Sequence, residues 1–592
     1  MTISTAYMRK NKISQHAELV ALFAGFIFVS HPVQTEAVTY VIQRAASLAT
    51  LFYMATLCFY VKSRLIQDNK VYSFALYGVS ILMAIMAMFT KEIAITLPMM
   101  IMFYEWSFLR TERGFNWKWA APFLLTLLII PLTMYFTESF KAQQMRGTVP
   151  SAPADISTMH YLLTQLRVIC TYIRLIFLPV NQNLDYNYSV SNNILELPVL
   201  FSLAFLLAVF FLIQRFYSEY RLTVFFASWF FITLLPESSL LPIRDVIFEH
   251  RLYLPMVGGA IFLASGVFFL LQGNRLKIYV LILLTAVVCF SVLTYQRNKV
   301  WKDEFTLWSD STKKSSCKAR PYNNLARADS DRGDWAAAVV NLKKSNDMDP
   351  SNADPYYNLG DIYAKQGDFQ KAIGYFAKAL ERNSKLKQVY YVRGCLYMGR
   401  GEMPQAIIDF NKAVKIDPNY TEAYNSLGNA YEKLGNFNKA IENYNKALQI
   451  DPNFEQAYIN LGVSYENAKD LARAILAYNR AIDMGTANAQ AYYNRGNAFA
   501  KENLLDRAIS DYSKAIEINP NYGEVYYNLG YIYSYQGSLL QAITNYTKAI
   551  EIDHSFRSAY KGRAIAYYKL KNYKKAFADA DKLKELNNGA SL

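Results

Sequence analysis

A small residue recurs every 34 positions through the C-terminal half of this 592-residue chain: Ala326, Gly360, Gly394, Gly428, Gly462, Gly496, Gly530 and Ala564. A register that does not slip over eight copies excludes one globular core. It demands a stack of like units, each burying its apolar face on the next. Other columns keep the period. Alanine stands twelve residues later, from Ala338 and Ala372 to Ala542 and Ala576. Aromatics stand three residues later, from Tyr363 and Tyr397 to Tyr533 and Tyr567, and again at Phe376, Phe410, Tyr444, Tyr478, Tyr512 and Tyr546. Small residues let two antiparallel helices approach, and aromatics fill the gap between pairs. Pro350, Pro418, Pro452 and Pro520 end one unit and begin the next. Gly367, Gly401, Gly435 and Gly537 fall where the first helix must turn into the second.

These columns resemble the tetratricopeptide (TPR) consensus. The resemblance implies an α-solenoid of about eight repeats over 321–592, with atypical ends where Asp329 and Ala580 replace aromatics. A superhelix of this kind offers a concave groove and no catalytic apparatus. Asn324, Asn358, Asn460, Asn494 and Asn528 stand two residues before the small position. Amides at one-repeat spacing offer donor and acceptor together to an extended polypeptide. A similar ladder occurs in the TPR superhelix of the nucleocytoplasmic sugar transferase that modifies Ser/Thr. Asn is also simply common at this consensus position, and Val392, Ser426 and Gly562 interrupt the column. Tyr357, Tyr391, Tyr493 and Tyr527 on the same helices serve equally as contact or packing residues.

The preceding residues obey a different solvent. Apolar stretches near 17–30, 45–61, 72–90, 93–109, 119–136, 198–213, 222–236, 252–271 and 277–294 predict nine membrane spans. The whole chain therefore reads as all-α: a polytopic bundle over 1–294, an interfacial linker over 295–320, then the solenoid. Residues 161–180 are apolar, but Thr164, Arg167, Thr171 and Arg174 form one polar stripe on a helix. Two mid-membrane arginines cost roughly 5–7 kcal/mol, against roughly 3–6 returned by the apolar residues. This helix is expected flat on the surface or against the bundle.

Lys and Arg concentrate in one set of short loops (Arg9, Lys10, Lys12; Lys62, Arg64, Lys70; Arg110, Arg113, Lys118; Arg215, Arg221; Arg275, Lys277). The basic side faces the cytoplasm. That places the N-terminus inside, at the inner membrane, and the repeats in the periplasm, or the lumen of a eukaryotic compartment. The opposite loops carry His31 to Glu36 (HPVQTE), Gln43 and Arg44, then Lys91 and Glu92, then Glu237, Arg244, Asp245, Glu249, His250 and Arg251. Ionisable groups at the edge of apolar helices are costly unless paired or used, so these loops predict a polar pocket.

HPVQTEAV, QRAASLATLFY, FTKEIAITLP, FEHRLYLP and WKDEFTLW ahead of TPR units resemble the transmembrane-and-TPR proteins, which include O-mannosyltransferases of the animal secretory pathway and bacterial relatives. The resemblance implies a GT-C type glycosyltransferase bundle. Its donor would be a polyprenyl-phosphate sugar, its acceptor a polypeptide held in the TPR groove, and its setting the lipid bilayer. Arg44, Lys91 and Arg251 would neutralise the leaving phosphate. His31, Glu36, Glu92, Glu249 and His250 would contact phosphate, acceptor or a divalent metal. Such enzymes carry an acidic residue in their first outward loop. The segment from Met1 to Glu18 holds no such loop and no Asp, so no catalytic base is nominated. Either the chain starts within a longer protein or it is an inactive membrane-anchored TPR scaffold for protein–protein interaction.

The net charge of +15 is accounted for by cytoplasmic loops and repeat lysines, while the aromatics sit in packing columns. Nucleic-acid binding, which wants basic and stacking residues interleaved, is excluded. The five cysteines form no CxxC, so neither a structural zinc site nor a disulfide framework is indicated. Scarce mid-span charge and no evident inverted repeat argue against a transporter.

Overall fold

The computed structural model describes residues 16–39, 44–66, 68–109, 117–136, 156–236, 238, 245–271, 275–485 and 487–588. Arg9, Lys10, Lys12, Gln43, Arg110, Arg113, Glu237 and Arg244 lie outside them. Among the described residues every regular element is helical. The chain divides into two compact units, 1–362 and 363–592, so the first repeat is grouped with the apolar helices.

The first unit opens with α1 (Ala17–Ser30), followed by a bend of 53° into Pro32–Val38. His31, just ahead of Pro32, takes an extended backbone, and its ring accepts the Val33 amide. Next come α2 (Arg44–Leu65), α3 (Lys70–Thr90), α4 (Glu92–Leu109) and α5 (Trp117–Thr133). Then follow α6 (Thr158–Phe177), α7 (Leu197–Phe216), α8 (Arg221–Leu234), α9 (Glu249–Leu270) and α10 (Leu276–Val300). Six of these helices are long and apolar enough to cross a membrane, or seven with the bent pair counted as one span. Nine were expected; the shorter apolar helices among the described residues are α5 and α8. α7, with mean hydropathy 2.5, is almost wholly unburied by protein, as a lipid-facing helix must be.

α2 and α3 form an antiparallel hairpin. The Ser73 hydroxyl donates to the Ser63 carbonyl at 2.7 Å, and the rings of Tyr60 and Tyr77 lie 6.3 Å apart. That register carries Arg44 to the level of Lys91 and Glu92. At α9, Gly258 permits a close helix crossing: a Cβ there would lie 2.7 Å from the Phe226 carbonyl of α8.

The second unit stacks helix pairs as the 34-residue columns require, for example Thr421–Lys433 with Phe437–Ile450 and Ala489–Lys501 with Leu505–Ile518. The column alanines Ala406, Ala440, Ala474, Ala508 and Ala542 are fully buried. Gly435 turns between helices with φ of 72°, a left-handed conformation that glycine adopts without strain. Lys469 and Asn503 occupy the same turn one and two repeats on, at φ 64° and 62°. The small column exists because an aromatic lies over it: a Cβ on Gly496 would stand 2.7 Å from the Tyr512 ring.

Gly496→Val is therefore expected to lose about 1–3 kcal/mol by overpacking. Gly374→Ala, where nothing lies within 4 Å, should hold or gain stability through helix propensity. Thermal unfolding followed by circular dichroism measures both.

Candidate functional site

Two of the sequence motifs meet. The Glu36 carboxylate is buried against His250, whose ring Nδ1–H donates to Oε1 at 2.8 Å and whose backbone N–H donates to Oε2 at 3.2 Å. A carboxylate withdrawn from water must be satisfied in this way. His31 is fully buried. Its Nε2–H donates to the Ile176 carbonyl at 3.0 Å, while its Nδ1 accepts from the Val33 amide at 3.3 Å. One donor and one acceptor describe a neutral ring, which ties the end of α6 to the end of α1.

Glu249 organises a second network, built from residues that no sequence motif marked. Its Oε1 accepts from the Asn183 amide at 2.8 Å and the Tyr186 phenol at 2.5 Å, and its Oε2 accepts from Gln182 Nε2 at 2.9 Å. Arg297 Nη2 stands 3.8 Å from Oε2. Burial and the neighbouring Glu249 carboxylate push the Tyr186 phenol well above its ordinary value, so it stays a donor.

The loop carrying Gln182, Asn183 and Tyr186 is laid along the polar stripe of α6. Arg167 Nη1 donates to the Ser189 carbonyl at 3.1 Å and the Ser191 hydroxyl at 2.7 Å. The Ser191 amide donates to Thr164 Oγ1 at 2.9 Å, Thr171 meets the Tyr188 hydroxyl at 3.2 Å, and Arg174 Nη1 donates to the Val180 carbonyl at 3.2 Å. An adjacent face of α6 is buried through Tyr161, Val168 and Tyr172. The stripe is thus a seat for the loop.

The same network grips the segment expected as an interfacial linker, which holds α11 (Glu304–Lys314) and the start of α12 (Ala319–Asp331). Arg297 Nη1 and Lys314 Nζ both donate to the Gln182 carbonyl and to Asp310, at 2.7 to 3.3 Å. Asp185 accepts from Lys318 Nζ and Arg320 Nε, each at 2.6 Å, and Arg320 also reaches Asp245 at 3.1 Å. Burial raises the Asp185 carboxyl, but the bonds and charges of Arg320 and Lys318 bring it net below the usual carboxylate range. Asp185, Tyr186, Asp245 and Lys318 line a small polar cavity of about 70 Å³.

The other expected residues are distributed around this end of the bundle. Arg251 is buried and donates to the Val246 and Asp245 carbonyls at 3.2 and 2.9 Å. Arg44 is exposed, its Nε donating to the Val38 carbonyl at 3.4 Å. Lys91 is half-buried and Glu92 exposed. Buried Gln34 of the first motif leaves both side-chain amide atoms without a partner. Among the described residues no three His, Cys, Asp or Glu side chains converge to hold a metal ion. At the far end of α2, Glu105 accepts from the Tyr60 phenol at 2.7 Å and Arg64 Nε at 2.8 Å. A lone carboxylate inside an apolar stretch is the sequence signal for such a pair.

In the repeats, several ladder amides are engaged between helix pairs. Asn358 donates to Asn323 at 2.9 Å, Asn460 donates to Asn425 and Asn429 at 3.0 and 3.1 Å, and Asn528 donates to Asn497 at 2.9 Å. Asn494 Nδ2 has no partner. Asn324 lies on α12.

This geometry defines an all-helical protein in which apolar helices precede a repeat solenoid, and family comparison agrees. The Tetratricopeptide repeat model matches residues 353–386, 421–454, 489–522 and 523–556. Further TPR models match 326–367, 394–435 and 443–475, so the C-terminal part of the chain carries TPR repeats. Its relatives are protein O-mannosyl-transferases. One from Caenorhabditis elegans is 25% identical over 342 residues, covering 56% of this chain and 46% of the relative. TMTC3 of Homo sapiens is 24% identical over 364 residues, covering 56% and 39%. The matches thus span less than half the length of these relatives. Among solved structures, MamA is 30% identical over 28% of this chain and 96% of its own, with a TM-score of 0.27. YrrB, described as a TPR protein with an unusual peptide-binding site, is 26% identical over 31% and 95%, with a TM-score of 0.27.

The acid dependence of the Asp185 clamp follows in sign. A carboxyl held below its unfolded value of about 3.9 stabilises above that value and loses its contribution as pH falls through its folded value. Limited proteolysis between residues 314 and 320 should be unchanged from neutral pH to about 5 and should rise below about 4. Asp185→Asn, which removes the charge that Lys318 and Arg320 share, should make the same segment cleavable at pH 7.

Proposed function

We propose that this chain is an integral membrane glycosyltransferase-like protein. It moves a sugar from a polyprenyl-phosphate donor to Ser/Thr of an envelope protein held by its TPR groove. The observation that carries this reading is a pair of buried carboxylates, Glu36 bonded to His250 and Glu249 beside Arg297, at one end of an apolar bundle, in a chain whose relatives are protein O-mannosyl-transferases. The distribution of Lys and Arg supports an inner-membrane location with the N-terminus cytoplasmic and the repeats periplasmic.

The roles divide by exposure. Glu36 and His250 spend their polar atoms on each other, Arg251 on backbone carbonyls, and Glu249 on Gln182, Asn183 and Tyr186, and so they build the frame. Arg44 and Lys91, level with each other at the same end, are the cations that reach a leaving phosphate. Glu92 is the exposed carboxylate beside them. In the transfer a carboxylate would take the proton of the attacking hydroxyl as it bonds to the anomeric carbon and the polyprenyl phosphate leaves; no residue is nominated for that role. The satisfied state of Glu36 and Glu249 equally suits an inactive bundle anchoring a TPR scaffold. Glu92 and Arg44 separate the two readings.

Envelope glycoproteomics with and without the gene should reveal O-linked hexose that disappears on deletion. Restoring the gene as Glu92→Gln or Arg44→Gln should leave that hexose at least tenfold below wild type. Unchanged glycosylation in the deletion strain would leave the scaffold. A C-terminal alkaline phosphatase fusion should be active and the matching GFP fusion dark.

A further inference from the structure

The helix pairs over 523–588 carry a patch that the solenoid does not use. The first helices of successive pairs lie side by side and share one face. Asn528 on Gly523–Tyr535 donates to Asn497 on Ala489–Lys501 at 2.9 Å, and Gly523–Tyr535 packs in turn on Arg557–Lys569. On that face Tyr531 and Tyr535 stand one helical turn apart, with Ile565 and Tyr568 on the next helix. These four are 46 to 71% exposed, whereas the packing tyrosines Tyr444 and Tyr478 are fully buried. Tyr568 is steadied edge-on by Tyr573 at 5.3 Å. In the preceding repeats Asn429, Val463 and Asn497 hold the position of Tyr531, and Lys433, Asn467 and Lys501 that of Tyr535. One exposed apolar residue is ordinary, but four adjoining ones mark a surface that something covers.

Charge and spacing say what covers it. Exposed Lys561 and Lys569 lie four residues to either side of Ile565, on the same helix face. Among the described residues neither makes an ion pair, whereas Lys501 is bonded to Glu466 at 2.5 Å. The complement of this surface is apolar along its length and anionic at intervals. Packed helices stand about 8–10 Å apart, and a polyproline II chain advances about 9 Å in each three-residue turn. One ridge of such a chain therefore meets each successive first helix. A β-strand, which repeats its side-chain pattern about every 7 Å, falls out of step. The extended proline helix also arrives preformed, with every carbonyl free for a tyrosine hydroxyl. We propose that this face binds a proline-rich, acidic segment of another polypeptide, its prolines on Tyr531, Tyr535 and Tyr568 and its carboxylates at Lys561 and Lys569. The proposal rests on the reading above only in taking a polypeptide as the occupant of the repeats; it serves a transferase and a scaffold alike.

The full chain in detergent would be titrated, by fluorescence anisotropy, with a labelled peptide of Pro, Ser and Glu about twelve residues long, some four turns of such a helix. Capping both its ends removes a terminal carboxylate as the source of charge. A second peptide carries alanine for every proline, and a third glutamine for every glutamate. The first should bind, and the other two at least tenfold more weakly. Binding of the first should fall severalfold between about 0.05 and about 0.5 M salt. Tyr531→Ser combined with Tyr568→Ser should weaken it at least tenfold with an unchanged melting temperature, since both rings are exposed. Lys561→Gln combined with Lys569→Gln should weaken it severalfold and flatten the salt dependence. Equal binding of the alanine peptide, which suits a helix, or wild-type affinity in the tyrosine variant would overturn the proposal. Absence of binding in a chain whose gene still directs O-linked hexose would remove this site and leave the transferase. Binding as expected in a chain that glycosylates nothing would keep the site and leave the scaffold.

Discussion

A buried carboxylate cannot stand alone. Its charge must be met by hydrogen bonds or by a cation, and the cost of failing is several kcal/mol. Glu249 imposes that constraint on the first unit. Its oxygens are filled by Gln182, Asn183 and Tyr186, so the loop that carries them must lie across the end of α9. The loop can lie there because α6 presents Thr164, Arg167, Thr171 and Arg174 along one face. Gln182 in turn receives Arg297 and Lys314, and Asp185 receives Lys318 and Arg320. One satisfied carboxylate thus leads, contact by contact, from an apolar helix to the first helix of the repeats.

The same physics recurs inside the solenoid on a smaller scale. Most repeats place leucine just before the small column, as at Leu427, Leu461 and Leu529. Three repeats place arginine there instead. Each such arginine makes a paired, largely buried bond to an aspartate sixteen residues on: Arg393 with Asp409, Arg495 with Asp511, and Arg563 with Asp579, at 2.7 to 2.9 Å. Where arginine is absent the aspartate is absent too: Asn443, Ala477 and Asn545 stand at the matching positions. A planar guanidinium and a carboxylate fit each other in two bonds, so the two residues change together.

The division of labour at the polar end is one of access. Glu36, His250 and Arg251 sit closest to the centre, and their atoms are spent on holding α1, α9 and the loop together. Arg44, Lys91 and Glu92 were drawn from the same kind of boundary loop. The antiparallel α2–α3 hairpin brings them level at the edge. Composition alone could not separate frame from edge, since both sets are ionisable residues bordering apolar runs.

The repeat period, the apolar stretches and the stripe on residues 161–180 could all be read in the chain, because each is a local periodicity imposed by helix geometry. The convergence of HPVQTE with FEHR was legible only as like character in two distant loops. Gln182, Asn183, Tyr186, Arg297 and Asp310 carried no signal, being ordinary polar residues until contacts across as many as 132 positions make them partners. Hydropathy registers how apolar a stretch is and not where its helix bends, as the chain does by 53° between α1 and Pro32–Val38. Local pattern decided that this protein is helical and repetitive. The tertiary structure decided which charges are buried and spent and which remain at the surface, because burial depends on the chain's distant parts.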